Sequence, residues 1–200
     1  MEESFLAARP VWARGSAGLL NDFIVLRGRC PLSPDGHSTC AVASAWPYRL
    51  FVDGRLAGWG PARGPHGYFR VDRWALPAGS RPDGAEIRIE AAGCHVNSYY
   101  FPDQPAFVQA EVVSRGAVQL ATEPADPAVA SFLLFRDESR VRKIQRYSFQ
   151  RMFAEGYRSV GDLGCDMPAE TELRPAVRLL PRRVPYPRFD RIDAVGVVET

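Results

Sequence analysis

The chain of 200 residues reads as an all-β protein, an antiparallel β-sandwich with an extended, proline-rich C-terminal segment. Three observations lead there. Glycine and proline, 17 of each, are spread along the chain and cut it into short pieces. Those pieces are rich in β-branched and aromatic residues and bounded by turn formers, as strands are. No stretch carries the sustained 3.6-residue apolar period of a long amphipathic helix.

The elements follow in order. "DFIVLRGRC" (22–30), "TCAVASA" (39–45) and "YRLFVDG" (48–54) are the first three strands. "YFRVDRW" (68–74), "AEIRIEAAG" (85–93) and "AFVQAEVVS" (106–114) are the next three, and "GAVQLAT" (116–122) and "VASFLLF" (129–135) follow. "IRIEA" alternates most cleanly, with Ile87 and Ile89 on one face and Arg88 and Glu90 on the other, as in a sheet with one wet side. Many short strands at intervals of roughly 8–15 residues point to a sandwich. Asp53-Gly54 signals a type I′ turn, so Arg55-Leu56 begins a return strand. Over 139–158 the spacing of Val141, Ile144 and Tyr147 fits a helix, whereas Tyr147, Phe149 and Arg151 fit a strand; an extended strand is expected over 141–150. Beyond it, Pro168, Pro175, Pro181, Pro185 and Pro187 leave room for one short strand near "ELRPAVRLL" and otherwise extended chain. The last residues, "IDAVGVVET", have the look of another apolar strand. Two units are expected: a sandwich module over 1–135, and over 136–200 added strands and a tail that packs on the sandwich or leads to a downstream domain.

Composition removes some function classes. At 46% hydrophobic, 24% charged and a formal charge of +2, the chain offers no global argument for nucleic acid or membrane. Lys143 is the sole lysine, a bias that base composition explains as readily as function. The seven basic residues from Arg136 to Arg158, interleaved with Tyr147, Phe149 and Phe153, mimic a nucleic-acid surface. Asp137, Glu138 and Glu155 interrupt them, which favours a solvated face or a docking strip for an acidic neighbour. Cys30, Cys40, Cys94 and Cys165 form no C-x-x-C pair and stand at no zinc spacing from His37, His66 or His95, so no metal and no cofactor is expected. Cys30 and Cys40 bracket the turn-rich "PLSPDGHST" and could face each other across two strands, but spacing does not fix disulfide geometry, and whether they pair is left open. "MEESFLAARP" lacks the basic start and apolar core of a signal peptide, and no run of about 18 apolar residues occurs. A soluble, cytoplasmic chain with reduced thiols is the expectation. The histidines have no acid or serine pattern around them, so a hydrolytic triad is not expected.

Five stretches, in this order, resemble the N-terminal part of bacterial α-L-rhamnosidase-like glycoside hydrolases, the family 78 group and its relatives. They are "ARPVWARG" (8–15), "NDFIVLR" (21–27), "YRLFVDGRLAGWGPARG" (48–64), "YFRVDRWALPAG" (68–79) and "AAGCHVNSYYFPDQPAFVQAEV" (91–112). In that group the pattern belongs to a galactose-binding-like jelly roll preceding the catalytic domain, and "VRKIQRYSFQRMFAEGYR" (141–158) is similar to the segment that follows it. "SRPDGAEIRIE" departs from the group's Gly-x-Asn before the corresponding strand. The resemblance implies hydrolysis by a separate (α/α)6 barrel bearing two carboxylic acids. This short-stranded sequence has no room for six helical hairpins. The resemblance therefore implies a non-catalytic accessory module, scaffold or carbohydrate-binding, whose partners are the parent protein's downstream catalytic domain and rhamnose-containing or other glycans. A free-standing lectin-like binder is the alternative.

Within that reading the stretch "GWGPARG" (58–64) stands out. If the return strand ends at Leu56-Ala57, Gly58 and Gly60 supply unusual backbone conformations and Pro61 ends pairing, so that Trp59 and Arg63 project from a stiff loop. An indole presents a flat face to the C–H groups of a sugar ring, and a guanidinium presents a planar fork to hydroxyls or a carboxylate. Asn97, Tyr99 and Tyr100 of "HVNSYY" are candidates for the same end. Packing against the core or a partner domain is the competing use of Trp59, and the more common one for such a residue.

Overall fold

The computed structural model describes residues 3–79, 81–158, 166–188 and Gly196. They fold as two stacked sheets with no helix among them. The strands are β1 (Val11–Ala13), β2 (Asp22–Cys30), β3 (Ser38–Ser44), β4 (Tyr48–Val52), β5 (Arg55–Gly60), β6 (Tyr68–Ala75) and β7 (Ala85–Gly93). They continue with β8 (Val108–Ser114), β9 (Ala117–Ala121), β10 (Ala130–Ser131), β11 (Leu133–Asp137), β12 (Asp166–Pro168), β13 (Thr171–Leu173) and β14 (Arg178–Pro181). One sheet runs β10-β9-β8-β3-β6-β14, with β1 joining β8 to β13; the other runs β12-β11-β2-β7-β4-β5. Pairing is antiparallel except at two edges, where β10 lies parallel to β9 and β14 parallel to β6.

The core forms where alternation aims apolar side chains between the sheets. Ile87 and Ile89 of β7 are fully buried beside Ile24, Leu26 and Leu50 of the flanking strands, while Arg88 and Glu90 stay on the outer face. Burial of each such side chain contributes about 1.5–3 kcal/mol. Trp12, Trp46 and Tyr48, likewise buried, fill the interior toward one end. Cys30, Cys40 and Cys94 are buried free thiols. Burial pushes Cys30 up to about 11 and Cys94 up to about 12. Cys40 is held higher still by burial, with Cys30 and Glu111 adding to the effect. Such thiols are poor nucleophiles.

Described residues near both ends of the chain are tied onto this frame. The buried carboxylate of Glu111 on β8 accepts the backbone N–H groups of Leu6, Ala7 and Ala8 at 3.0–3.2 Å. From residue 166 onward the chain adds β12 to one sheet and β13 and β14 to the other, and Leu179 is buried.

Several expectations need correction. Residues 141–150 form no strand: the segment 139–158 is an irregular loop held by two isolated bridges, Arg140 to Tyr157 and Arg146 to Phe153. Backbone bonds such as Val141 N–H to the Gly156 carbonyl hold it, and side chains anchor it further. Arg146 donates to the carbonyls of Asn97, Phe149 and Arg151, and the Arg140 guanidinium lies between the rings of Phe23 and Tyr157, at 4.7 and 4.4 Å. The single strand expected near "ELRPAVRLL" is two, β13 and β14, separated by Pro175. "VASFLLF" is broken at Phe132, which is buried and whose N–H bonds Ala121. The buried Trp12 lies in a strand, β1, that the sequence reading did not assign. Cys165 and, apart from Gly196, the strand expected over 192–200 lie outside the described residues.

Candidate functional site

The hairpin β4–β5 has the predicted turn, with Asp53 at φ 47° and Gly54 at φ 76°. Its second strand does not stop at Ala57. It continues to Gly60, with Trp59 opposite Arg49 and Gly60 opposite Tyr48 across a register shift between Leu50 and Phe51. The glycines serve close approach, not unusual angles: a Cβ at Gly58 would strike the Trp74 ring, and one at Gly60 would strike Asp72 and Tyr48. Because β5 lies directly on those side chains, the residue between the glycines faces away from them. Trp59 thus stands half exposed on the outer face of an edge strand.

Beneath Gly60 lies a buried polar network. The Trp74 indole N–H donates to Tyr48 Oη at 2.8 Å, and the Tyr48 hydroxyl donates to Asp72 Oδ2 at 2.5 Å. Arg182, from the tail, donates to Asp72 Oδ1 at 2.8 Å. Burial raises the Asp72 carboxyl above its ordinary value, against the opposing pull of Tyr48, Arg182 and the Ala62 N–H. Burial likewise raises the Tyr48 hydroxyl, reinforced by the neighbouring Asp72 charge. Tyr186 packs edge-on against Trp74 at 4.6 Å, and its hydroxyl accepts the Arg73 N–H. This network fixes the loop after β5, beginning with a cis Gly60-Pro61 bond, and the tail that faces it.

Trp59 borders two clefts. The first, of about 240 Å³, has an apolar floor that includes Phe23 and Leu56, with Arg49, Glu90, Arg140 and Glu155 around it. Arg49 places Nε and Nη2 on Glu90 Oε2 at 2.8 and 2.6 Å. Arg140 pairs with Asp137 at 3.3 Å and with Glu155 at 3.0 Å. Burial works to raise the Glu155 carboxyl, but the Tyr157 hydroxyl and the Arg140 and Arg49 guanidinium groups outweigh it and hold it below the usual range. A general acid for glycoside cleavage needs the opposite shift. The second cleft, of about 340 Å³, lies between the loop 61–63, Tyr100 and Phe101, and the tail residues Arg182 to Pro187.

Of the five residues predicted for this end, Trp59, Arg63 and Tyr100 line the second cleft together. Arg63 donates to the Tyr99 carbonyl and its guanidinium lies 5.9 Å from the Tyr100 ring. The Tyr99 hydroxyl turns toward Gln150. Asn97 is used within its own loop, its Oδ1 accepting the Asp103 N–H and its carbonyl accepting Arg146. The sequence reading missed Arg49, Glu90, Arg140, Glu155, Arg182 and Tyr186. Arg49 and Glu90 had a legible signal, being the outward members of two alternating strands; the other four come from irregular segments, where no period reports direction. Among the described residues, no group of three or more His, Cys, Asp and Glu side chains is placed to hold a metal ion.

No protein-family model matches the chain, and no curated protein matches it. Solved structures do. A family 78 rhamnosidase of Bacillus sp. GL1 superimposes with a TM-score of 0.74 at 21% identity, over 92% of this chain and 20% of that one. An α-L-rhamnosidase from Dictyoglumus thermophilum superimposes with a TM-score of 0.52 at 14% identity, over 92% of this chain and 22% of that one. The chain spans about a fifth of the length of these enzymes, and what it shares with that fifth is the all-β sandwich fold.

Proposed function

We propose that the chain is a non-catalytic accessory module of a rhamnosidase-like glycoside hydrolase, which holds a glycan at Trp59 and works beside a catalytic domain in the same protein. The observation that carries this reading is the setting of Trp59. A large apolar ring held half exposed on a rigid edge strand, with a cleft on either side, is the arrangement that stacks a pyranose ring. The glycines beside it keep β5 pressed on a polar network, so the indole is held in place before any ligand arrives. The carboxylates of the first cleft sit in ion pairs with arginine, which suits them to accept hydroxyl hydrogen bonds and ill suits them to deliver a proton. The shared sandwich fold supports the placement beside a rhamnosidase barrel.

Isothermal titration with L-rhamnose, galactose and short α-L-rhamnosides tests this. We expect saturable binding to at least one, weakened about fivefold or more by Trp59→Ala, since an aromatic contact contributes roughly 1 kcal/mol. We expect no release of the leaving group from an aryl α-L-rhamnoside above a heat-treated control. Turnover by rigorously pure protein, or binding that Trp59→Ala leaves unchanged, contradicts the proposal, as does absence of binding both to this panel and to acidic oligosaccharides.

A further inference from the structure

The two clefts that flank Trp59 differ in charge. In the first, Arg49 and Arg140 are matched by Glu90, Asp137 and Glu155, and every guanidinium is engaged by a carboxylate. A ligand there meets acceptor oxygens and an apolar floor, which suits the hydroxyls and C–H face of a neutral sugar. In the second cleft, Arg63 and Arg182 stand among Trp59, Tyr100 and Tyr186 with no carboxylate in the lining. Arg182 is spent on Asp72, which cancels its charge. Arg63 is different. Its described bonds are to neutral partners, the Tyr99 carbonyl and the Tyr100 ring, and no carboxylate faces it among the described residues.

An arginine has five N–H donors in a planar fork that matches a carboxylate with two parallel bonds. Arg63 uses one Nη group on Tyr99 and is exposed, so donors remain for a ligand. Resting on the proposed glycan site at Trp59, we infer that its ligand is an oligosaccharide bearing a uronate, which straddles Trp59 with a neutral ring in the first cleft and its carboxylate against Arg63 in the second. The indole, common to both clefts, is the saddle between adjacent rings.

The test is titration of the whole chain with oligosaccharides from alginate, polygalacturonate and hyaluronan, each beside its carboxyl-reduced counterpart, which keeps the skeleton and removes the charge. We expect at least one acidic oligosaccharide to bind roughly fivefold or more tightly than its reduced form, with the difference shrinking in 0.5 M salt because Arg63 is exposed. Arg63→Gln should erase the difference, while its melting temperature stays at the parent value. Equal binding of acidic and reduced forms overturns the uronate assignment and leaves the Trp59 site standing. Loss of the preference in Trp59→Ala but not in Arg63→Gln also overturns it. Binding of no oligosaccharide, acidic, reduced or rhamnose-containing, overturns both.

Discussion

At Gly60 a methyl group would sit 2.7 Å from the Tyr48 ring and overlap the Asp72 carboxylate, whereas at Gly54 it would meet nothing. The two glycines of one hairpin therefore answer to different physics, and their substitutions should differ accordingly. Gly54→Val strains a backbone held at φ 76° and should cost roughly 1 kcal/mol or more. Gly60→Ala overpacks the Tyr48–Asp72 contact and should cost about 1–3 kcal/mol. It should also shift the near-ultraviolet signal of Trp74, whose indole bonds Tyr48, as Gly54→Val should not. Chemical denaturation and circular dichroism of both variants check this. The sequence made the Asp53-Gly54 turn legible because it is a local conformational demand. It misled at Gly58 and Gly60, because the demand there comes from Trp74 and Asp72 on β6, a strand that β5 contacts only once the sandwich has formed. Trp59 was legible as a candidate, but its mount was not a loop.

Among the elements, β2 and β7 match the segments read from sequence to the residue, since each alternates or fills one face of a buried sheet. The loop 139–158 was illegible because its order comes from isolated bridges and from arginines bonding carbonyls and stacking on rings, interactions that leave no period in the chain. The tail is the element with the clearest energetic signature. β14 joins β6, and just beyond it Arg182 reaches the fully buried Asp72. Arg182→Met leaves that carboxylate without its cation and should destabilise the fold by about 3 kcal/mol near neutral pH. The pH dependence has a definite sign. Burial raises the folded Asp72 carboxyl above the ordinary 3.8. Its contribution is therefore complete below 3.8 and is lost as pH rises through the folded value. Removing Arg182 takes away a group that favours the charged form, so the deficit of the variant should be largest at neutral pH and should narrow toward pH 4. Urea denaturation at pH 7, 5.5 and 4 measures it; a deficit that grows on acidification contradicts the assignment.

At the scale of the molecule, the sandwich was legible from short β-rich segments and punctuating glycine and proline, while the edge order was not. Nothing local tells β14 to run parallel to β6 or β13 to reach β1, some 160 residues away in sequence. Those distant pairings position the tail, which forms one wall of the second cleft. The described architecture thus brings a half-exposed indole, a paired arginine–carboxylate cleft and an arginine-lined cleft to one edge of the sheets, with Trp59 common to both clefts. That Trp59 is the centre of a glycan site is the central claim, and two-dimensional NMR of the labelled chain tests it most directly. On titration with the tightest-binding oligosaccharide, the Trp59 indole N–H and the backbone amides of Arg49, Glu90 and Arg63 should shift together along one saturable curve, with the buried Trp12 and Trp46 indoles unmoved. Saturable shifts confined to another surface, or none at millimolar oligosaccharide, would contradict the account.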